Sequence, residues 1–221
     1  MFNMKKFDLL VSVYIFCVVA SELMGGKTFY LFSIGSYHLN ASVAILLLPF
    51  VYTINDVIVE TFGKARAQSL VRSSIFVIVL LVLFSLAATA LPPSTRFLPT
   101  EKAYDTIFKI SIRFSLASLT AFILAEFADV YIFSKLRQRL GKKVLWFRTN
   151  LSNILSQFID TSVFMILAFY ALDKSLGANM SFIFSLVLPY WLLKCLMSLF
   201  ETPFAYLGVA WLRRGDGKNE D

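Results

Sequence analysis

The chain has 221 residues, 58% of them hydrophobic and 16% charged, with a mean hydropathy of +0.72. Soluble domains carry about 25% charged residues, so this composition excludes a large soluble catalytic domain and points to an integral membrane protein. The net charge of +7 does not indicate a nucleic-acid partner, because the basic residues lie between apolar runs and their placement matters more than their sum.

Six apolar runs mark candidate transmembrane helices: Phe7 to Met24, Ala41 to Phe62, Leu70 to Leu91, Thr106 to Phe133, Thr149 to Leu172 and Phe182 to Leu212. Helices are the default because lipid cannot satisfy an open backbone, and about 20 apolar residues cross the hydrocarbon core. Lys5 and Lys6 before the first run mimic a signal peptide, but Glu22 stands where a small-residue cleavage site would be. A retained first span is therefore expected. The connection KTFYLFSIGSYHLN is too apolar for a free loop, and its β-prone residues around Ile34, Gly35 and Ser36 predict a short hairpin dipping toward the membrane. The last run exceeds what a bilayer needs and contains Pro189 and Pro203, where a tilt, kink or break is expected. The expected fold class is an all-α integral membrane protein, one transmembrane domain over residues 1–221 arranged as a six-helix bundle. Cys17 and Cys195 both fall inside apolar runs, where thiols behave as small hydrophobes.

Orientation follows from the basic residues. Fourteen lie at the N-terminus, in the second and fourth connections and at the C-terminus; Lys27, Arg96, Lys102, Lys109 and Lys174 make five on the other side. That bias places both termini in the cytoplasm, with an even number of spans.

The costly residues are those inside the runs. Glu22, Asp56, Glu60, Glu126, Asp129, Asp160 and Glu201 fall within or at the edges of spans, with Arg113 and Lys194 beside them. A charge at the bilayer centre costs about 2.5–3.5 kcal/mol on insertion scales, so such groups face a shared interior site or one another. Tyr52, Asp56 and Glu60 follow steps of four and share a helix face. Asn150, Asn153, Gln157 and Asp160 follow steps of three, four and three, a polar stripe within an arc of about 80°. Glu126 and Asp129 stand one turn apart. Helix-to-helix hydrogen bonding is the plain structural alternative for the amides, and salt bridges with Arg113 or Lys194 for the acids. With seven acids to two bases, the site is expected to be acidic, favouring cations, protons or neutral ligands rich in N–H donors. His38 is the only histidine, so neither a multi-histidine metal site nor a cofactor is expected. There is no phosphate-binding P-loop and no activated nucleophile, and an enzyme is not expected.

Four segments then carry a resemblance: PFVYTINDVIVETFGKARA, RFSLASLTAFILAEFADVYIF, LWFRTNLSNILSQFIDTSVF, and the spacing of Lys194, Thr202-Pro203 and Tyr206. From Pro49 to Tyr206 they resemble, in order, the VUT family of queuosine precursor transporters. The resemblance implies a six-helix bundle similar to the substrate-binding subunits of energy-coupling-factor transporters, in the inner membrane. It further implies import of 7-deazaguanine bases, such as 7-cyano-7-deazaguanine and 7-aminomethyl-7-deazaguanine, or of queuine. The family-like residues are Tyr52, Asp56, Glu60, Arg113, Asp129, Arg148, Ser152, Gln157, Asp160, Lys194, Thr202 and Pro203. Glu126 stands where the family pattern has glutamine, and Glu22 with Gly26 where it has asparagines; either change bears on which precursor is accepted. The candidate binding set is Tyr52, Asp56, Glu60, Arg113, Glu126, Asp129, Asn153, Gln157, Asp160 and Lys194, with Tyr52, Phe158 or Trp191 as aromatic stacking partners. Expected partners are the deazapurine base and the lipid bilayer, with a homo-oligomer or an energising partner left open. A binding subunit of an ATP-driven uptake system is the alternative reading, and a membrane scaffold without transport the second.

Overall fold

In the computed structural model, residues 5–35, 37–140 and 145–216 are described. The chain runs as α1 (Lys6–Met24), β1 (Thr28–Ile34), β2 (Tyr37–Ser42), a 3-10 turn (Val43–Leu46), α2 (Leu48–Phe62), α3 (Lys64–Ala90), α4 (Leu98–Leu140), α5 (Leu145–Phe169) and α6 (Leu176–Asp216). It is a mostly helical membrane protein, and the connection after α1 forms the expected hairpin, opened by Gly35 at φ +62°. Only glycine adopts that region without steric cost.

Among the described residues, four segments are long and apolar enough to cross a bilayer: Lys6–Met24, Ala65–Ala90, Leu98–Leu136 and Leu176–Leu196. The expected second span is shorter than its apolar run. Ala41 and Ser42 end β2, the Ser42 hydroxyl caps the 3-10 turn by accepting from the Ala44 amide, and α2 then starts with Pro49 in its first turn. Proline suits that position because its missing N–H would have no partner there. The remaining 15 residues of α2 measure about 22 Å, against a hydrocarbon core of about 30 Å. The apolar part of α5 is likewise confined to Ile154–Phe169. α4 starts earlier than its run, at Leu98, because its first turns are amphipathic and Asp105 pairs with Lys109 one turn on at 2.7 Å. α6 continues through both Pro189 and Pro203, so no break occurs there.

The chain divides into two compact units. The first takes Met1–Lys27, Ser42–Ile112 and Leu196–Asp221. Its core joins Tyr14 of α1, Ile54 and Ile58 of α2, and Ala67 and Leu70 of α3. A second cluster sets Val57 of α2 against Val209 and Leu212 of α6. Gly208 makes that approach possible, since a Cβ there would strike the Val57 side chain. Gly63, at φ +84°, turns the chain directly from α2 into α3. At one end of the unit Lys6 donates to the Trp211 carbonyl and stands over the Trp211 ring. The Ser111 hydroxyl of α4 donates to the Leu23 carbonyl at 3.0 Å, taking up one of the carbonyls that the last turn of α1 leaves open.

The second unit takes Thr28–Ala41 and Arg113–Cys195. Phe114 and Ala117 of α4 pack on Ala168 of α5, with Phe164 and Phe169 set edge-on around Phe114. Asn179, in the first turns of α6, closes the α5–α6 connection by donating to the Ala171 carbonyl at 2.8 Å and accepting from the Ala171 amide at 2.9 Å.

Candidate functional site

In the first unit, Tyr52, Asp56 and Glu60 lie along α2 on the side opposite Ile54, Val57 and Ile58, which the core buries. At 100° per residue the two sets point about 155° apart. Tyr52 and Asp56 are half-buried and Glu60 is exposed. No ion pair of Asp56 or Glu60 occurs among the described residues. Glu22, at the end of α1, is buried.

The second unit gathers more of the predicted residues, and α5 is its organising element. Near the start of α5 the Ser152 hydroxyl donates to both the carboxylate and the carbonyl of Asp129 on α4. Eight residues on, about 12 Å at 1.5 Å per residue, Asp160 accepts from Lys194 of α6 at 2.6 Å. Gln157 stands one turn before Asp160, half-buried. Lys194 shares the face of α6 that buries Ile183, Leu186, Val187 and Tyr190, and its side chain is 10% exposed against 30% for Asp160. Removing either member of such a pair would leave the other partly buried and uncompensated. Asp160 lies nine residues before the end of α5 at Phe169, about 14 Å along the helix axis, within its apolar stretch Ile154–Phe169.

A second α5–α6 contact is aromatic. The Trp191 indole, one turn before Lys194, donates to the Ile154 carbonyl at 3.2 Å and meets Phe158 edge-on with centroids 5.3 Å apart. Thr161, next to Asp160, is fully buried, and its hydroxyl has no hydrogen-bond partner among the described residues.

Arg113 does different work from an ion-pair partner. Its Nε donates to the Leu167 carbonyl at 2.8 Å and its Nη2 to the Tyr170 carbonyl at 2.6 Å. These are the open carbonyls at the end of α5, where a cation also meets the negative end of the helix dipole. Glu126, one turn from Asp129, is exposed. The side chains of Arg148, Asn150, Asn153, Glu201, Thr202 and Pro203 lie outside the described residues. Sequence reasoning missed the Asn179 cap, whose signal was an amide just inside a helix start after the loop residues Asp173 and Lys174. It also missed the bond from Asn40 to Ser185, for which no sequence signal existed.

Residues 42–208 match the model of a family described as "Putative vitamin uptake transporter". The chain belongs to this family. The resemblance carried by the four segments from Pro49 to Tyr206 is thereby borne out, and the chain is a membrane transporter rather than an enzyme. It is 29% identical over 195 residues to the "Probable queuosine precursor transporter" of Bacillus subtilis (strain 168), covering 86% of this chain and 79% of that protein. It is 31% identical over 127 residues to the protein of the same name from Haemophilus influenzae (strain ATCC 51907 / DSM 11121 / KW20 / Rd), covering 57% of this chain and half of that relative. No solved structure matches the chain significantly. As a family member it is an integral membrane protein with a small-molecule substrate.

Proposed function

We propose that this transporter imports queuosine precursors, the 7-deazaguanine bases or queuine, and binds them at the Asp160–Lys194 pair between α5 and α6. The observation that carries the reading is the pair itself, a carboxylate on α5 held to an ammonium group on α6, with Gln157 one turn away on α5 and Trp191 one turn away on α6. A deazaguanine edge sets a carbonyl oxygen beside adjacent N–H donors. Lys194 can only donate and ionised Asp160 can only accept, so the pair complements that edge from both ends, and Gln157 offers one group of each kind. The flat ring suits an aromatic partner such as Trp191, and base stacking is worth about 1–3 kcal/mol in nucleic-acid binders.

The pairing also revises the charge expected of the site. Lys194 offsets the charge of Asp160, while Asp129 keeps its charge beside Ser152 about 12 Å along α5 and Glu126 is exposed. The pair alone is therefore close to neutral, which favours a neutral base such as the 7-cyano compound over an ammonium-bearing one. The proposal includes six spans in one transmembrane domain, with both termini on the cytoplasmic side of the inner membrane.

Uptake tests it. Cells unable to make queuosine, expressing the chain and supplied with each precursor separately, are expected to regain modified tRNA, most efficiently with the 7-cyano base. Failure with every precursor, while the protein reaches the membrane, would overturn the substrate assignment.

A further inference from the structure

The hairpin of β1 and β2 carries an exposed surface that transport does not account for. Tyr30 and Phe32, at alternate positions of β1 and so on one side of the strand, are 56% and 51% exposed. On β2, Leu39 and Ala41 are buried. The chain holds no charged residue from Thr28 through Asn55, so nothing on the hairpin demands bulk water. Its polar tips satisfy one another: the Tyr30 hydroxyl bonds the Ser33 hydroxyl at 2.8 Å, and Ser33 bonds Nδ1 of His38 at 2.7 Å.

The depth of the hairpin follows from α6. Asn40 of β2 donates to the Ser185 hydroxyl at 3.0 Å, and Ser185 is buried. Asn179, level with the α5–α6 connection through its bonds to Ala171, lies six residues before Ser185, about 9 Å along the helix axis. The hairpin is thus fastened about 9 Å inside that connection, where Asp173 and Lys174 mark the polar side. On the same stretch of α6, Met180 and Phe184 are also exposed, so the hairpin is fastened to a helix, long and apolar enough to cross a membrane, whose own outer surface there is apolar.

We propose that the Tyr30–Phe32 side of the hairpin is a lipid-contact surface, seated at the headgroup–acyl boundary of the bilayer on the α5–α6 connection side. The boundary fits better than the hydrocarbon centre. A two-stranded sheet leaves its outer backbone edges unpaired, which the centre cannot satisfy and the boundary can. Amphipathic rings such as Tyr30 are enriched at that level.

The test is nitroxide accessibility in phosphatidylcholine vesicles. On a Cys17→Ala/Cys195→Ala background, a label at Phe32→Cys is expected to collide with oxygen more than with a water-soluble nickel chelate, and a label at Lys174→Cys is expected to show the reverse ratio. Tyr30→Cys gives a second readout in case Phe32→Cys does not fold. Nickel accessibility at the hairpin equal to that at residue 174 would make it an aqueous loop and overturn the proposal. Shielding from both reagents would show a protein cover, such as a second copy of the chain, and overturn it equally.

Discussion

Replacing Lys194 with methionine removes the cation and leaves the Asp160 carboxylate without its 2.6 Å partner. Breaking a fully buried pair from one side costs about 3–5 kcal/mol, whereas an exposed pair is worth about 0–1 kcal/mol. With side chains 10% and 30% exposed, this pair falls between the two, nearer the buried case, and Lys194→Met should cost about 2–3 kcal/mol of stability. Asp160→Asn/Lys194→Met removes both charges together, so the two single losses should fail to add by about 1.5 kcal/mol or more. Reversible unfolding in mixed micelles by dodecyl sulfate titration measures all three variants. Precursor uptake by the same variants separates structure from binding. Both singles and the double should be inactive, the double although it regains most of its stability. A double variant that transports normally would show that the pair only holds helices together, and would refute the binding site. Strict additivity of the stability losses would refute the pairing itself.

Three further outcomes follow from local geometry. Gly63→Ala should destabilise by about 1–3 kcal/mol, the cost of a φ +84°, ψ 163° backbone for a residue with a Cβ, with no clash added because nothing lies within 4 Å of the new atom; the same titration reads it. Gly208→Ala drives a Cβ into Val57 and should cost about 1–3 kcal/mol as overpacking, with part of the loss returned by adding Val57→Ala. Arg113→Gln forfeits the charged donations to the Leu167 and Tyr170 carbonyls, worth about 1.5–3 kcal/mol for a bond to a charged group. Uptake by Arg113→Gln should fall only in proportion to folded protein, as measured by gel filtration; a larger fall would give the guanidinium a direct role with substrate.

The sequence conveyed what depends on local pattern and withheld what depends on partners. Apolar runs located the six helices of the described residues, and the β-prone residues around Gly35 located the hairpin. Hydropathy cannot separate a strand and a 3-10 turn from a helix, so the run from Ala41 concealed the late start of α2. It also cut α4 short, because the charged pair Asp105–Lys109 reads as loop although the helix passes beneath it. At the site, helical spacing put Gln157 and Asp160 on one side of α5. Which base would meet Asp160 was not legible, since Lys194 lies 34 residues away on another helix. Arg113 was read as a neutraliser of acids because its charge shows in the sequence, whereas the open carbonyls it caps do not.

The ties that end on α5 have a consequence for how this gene can vary. Ser152, Ile154, Asp160 and Leu167 each hold a group on a neighbouring helix, within little more than four turns. One codon inserted between Ser152 and Asp160 would rotate everything downstream by about 100°, so the four ties could no longer be made at once. Length changes should therefore survive in the turn at residues 92–97 and be purged from α5, even where the inserted residue is as greasy as its neighbours.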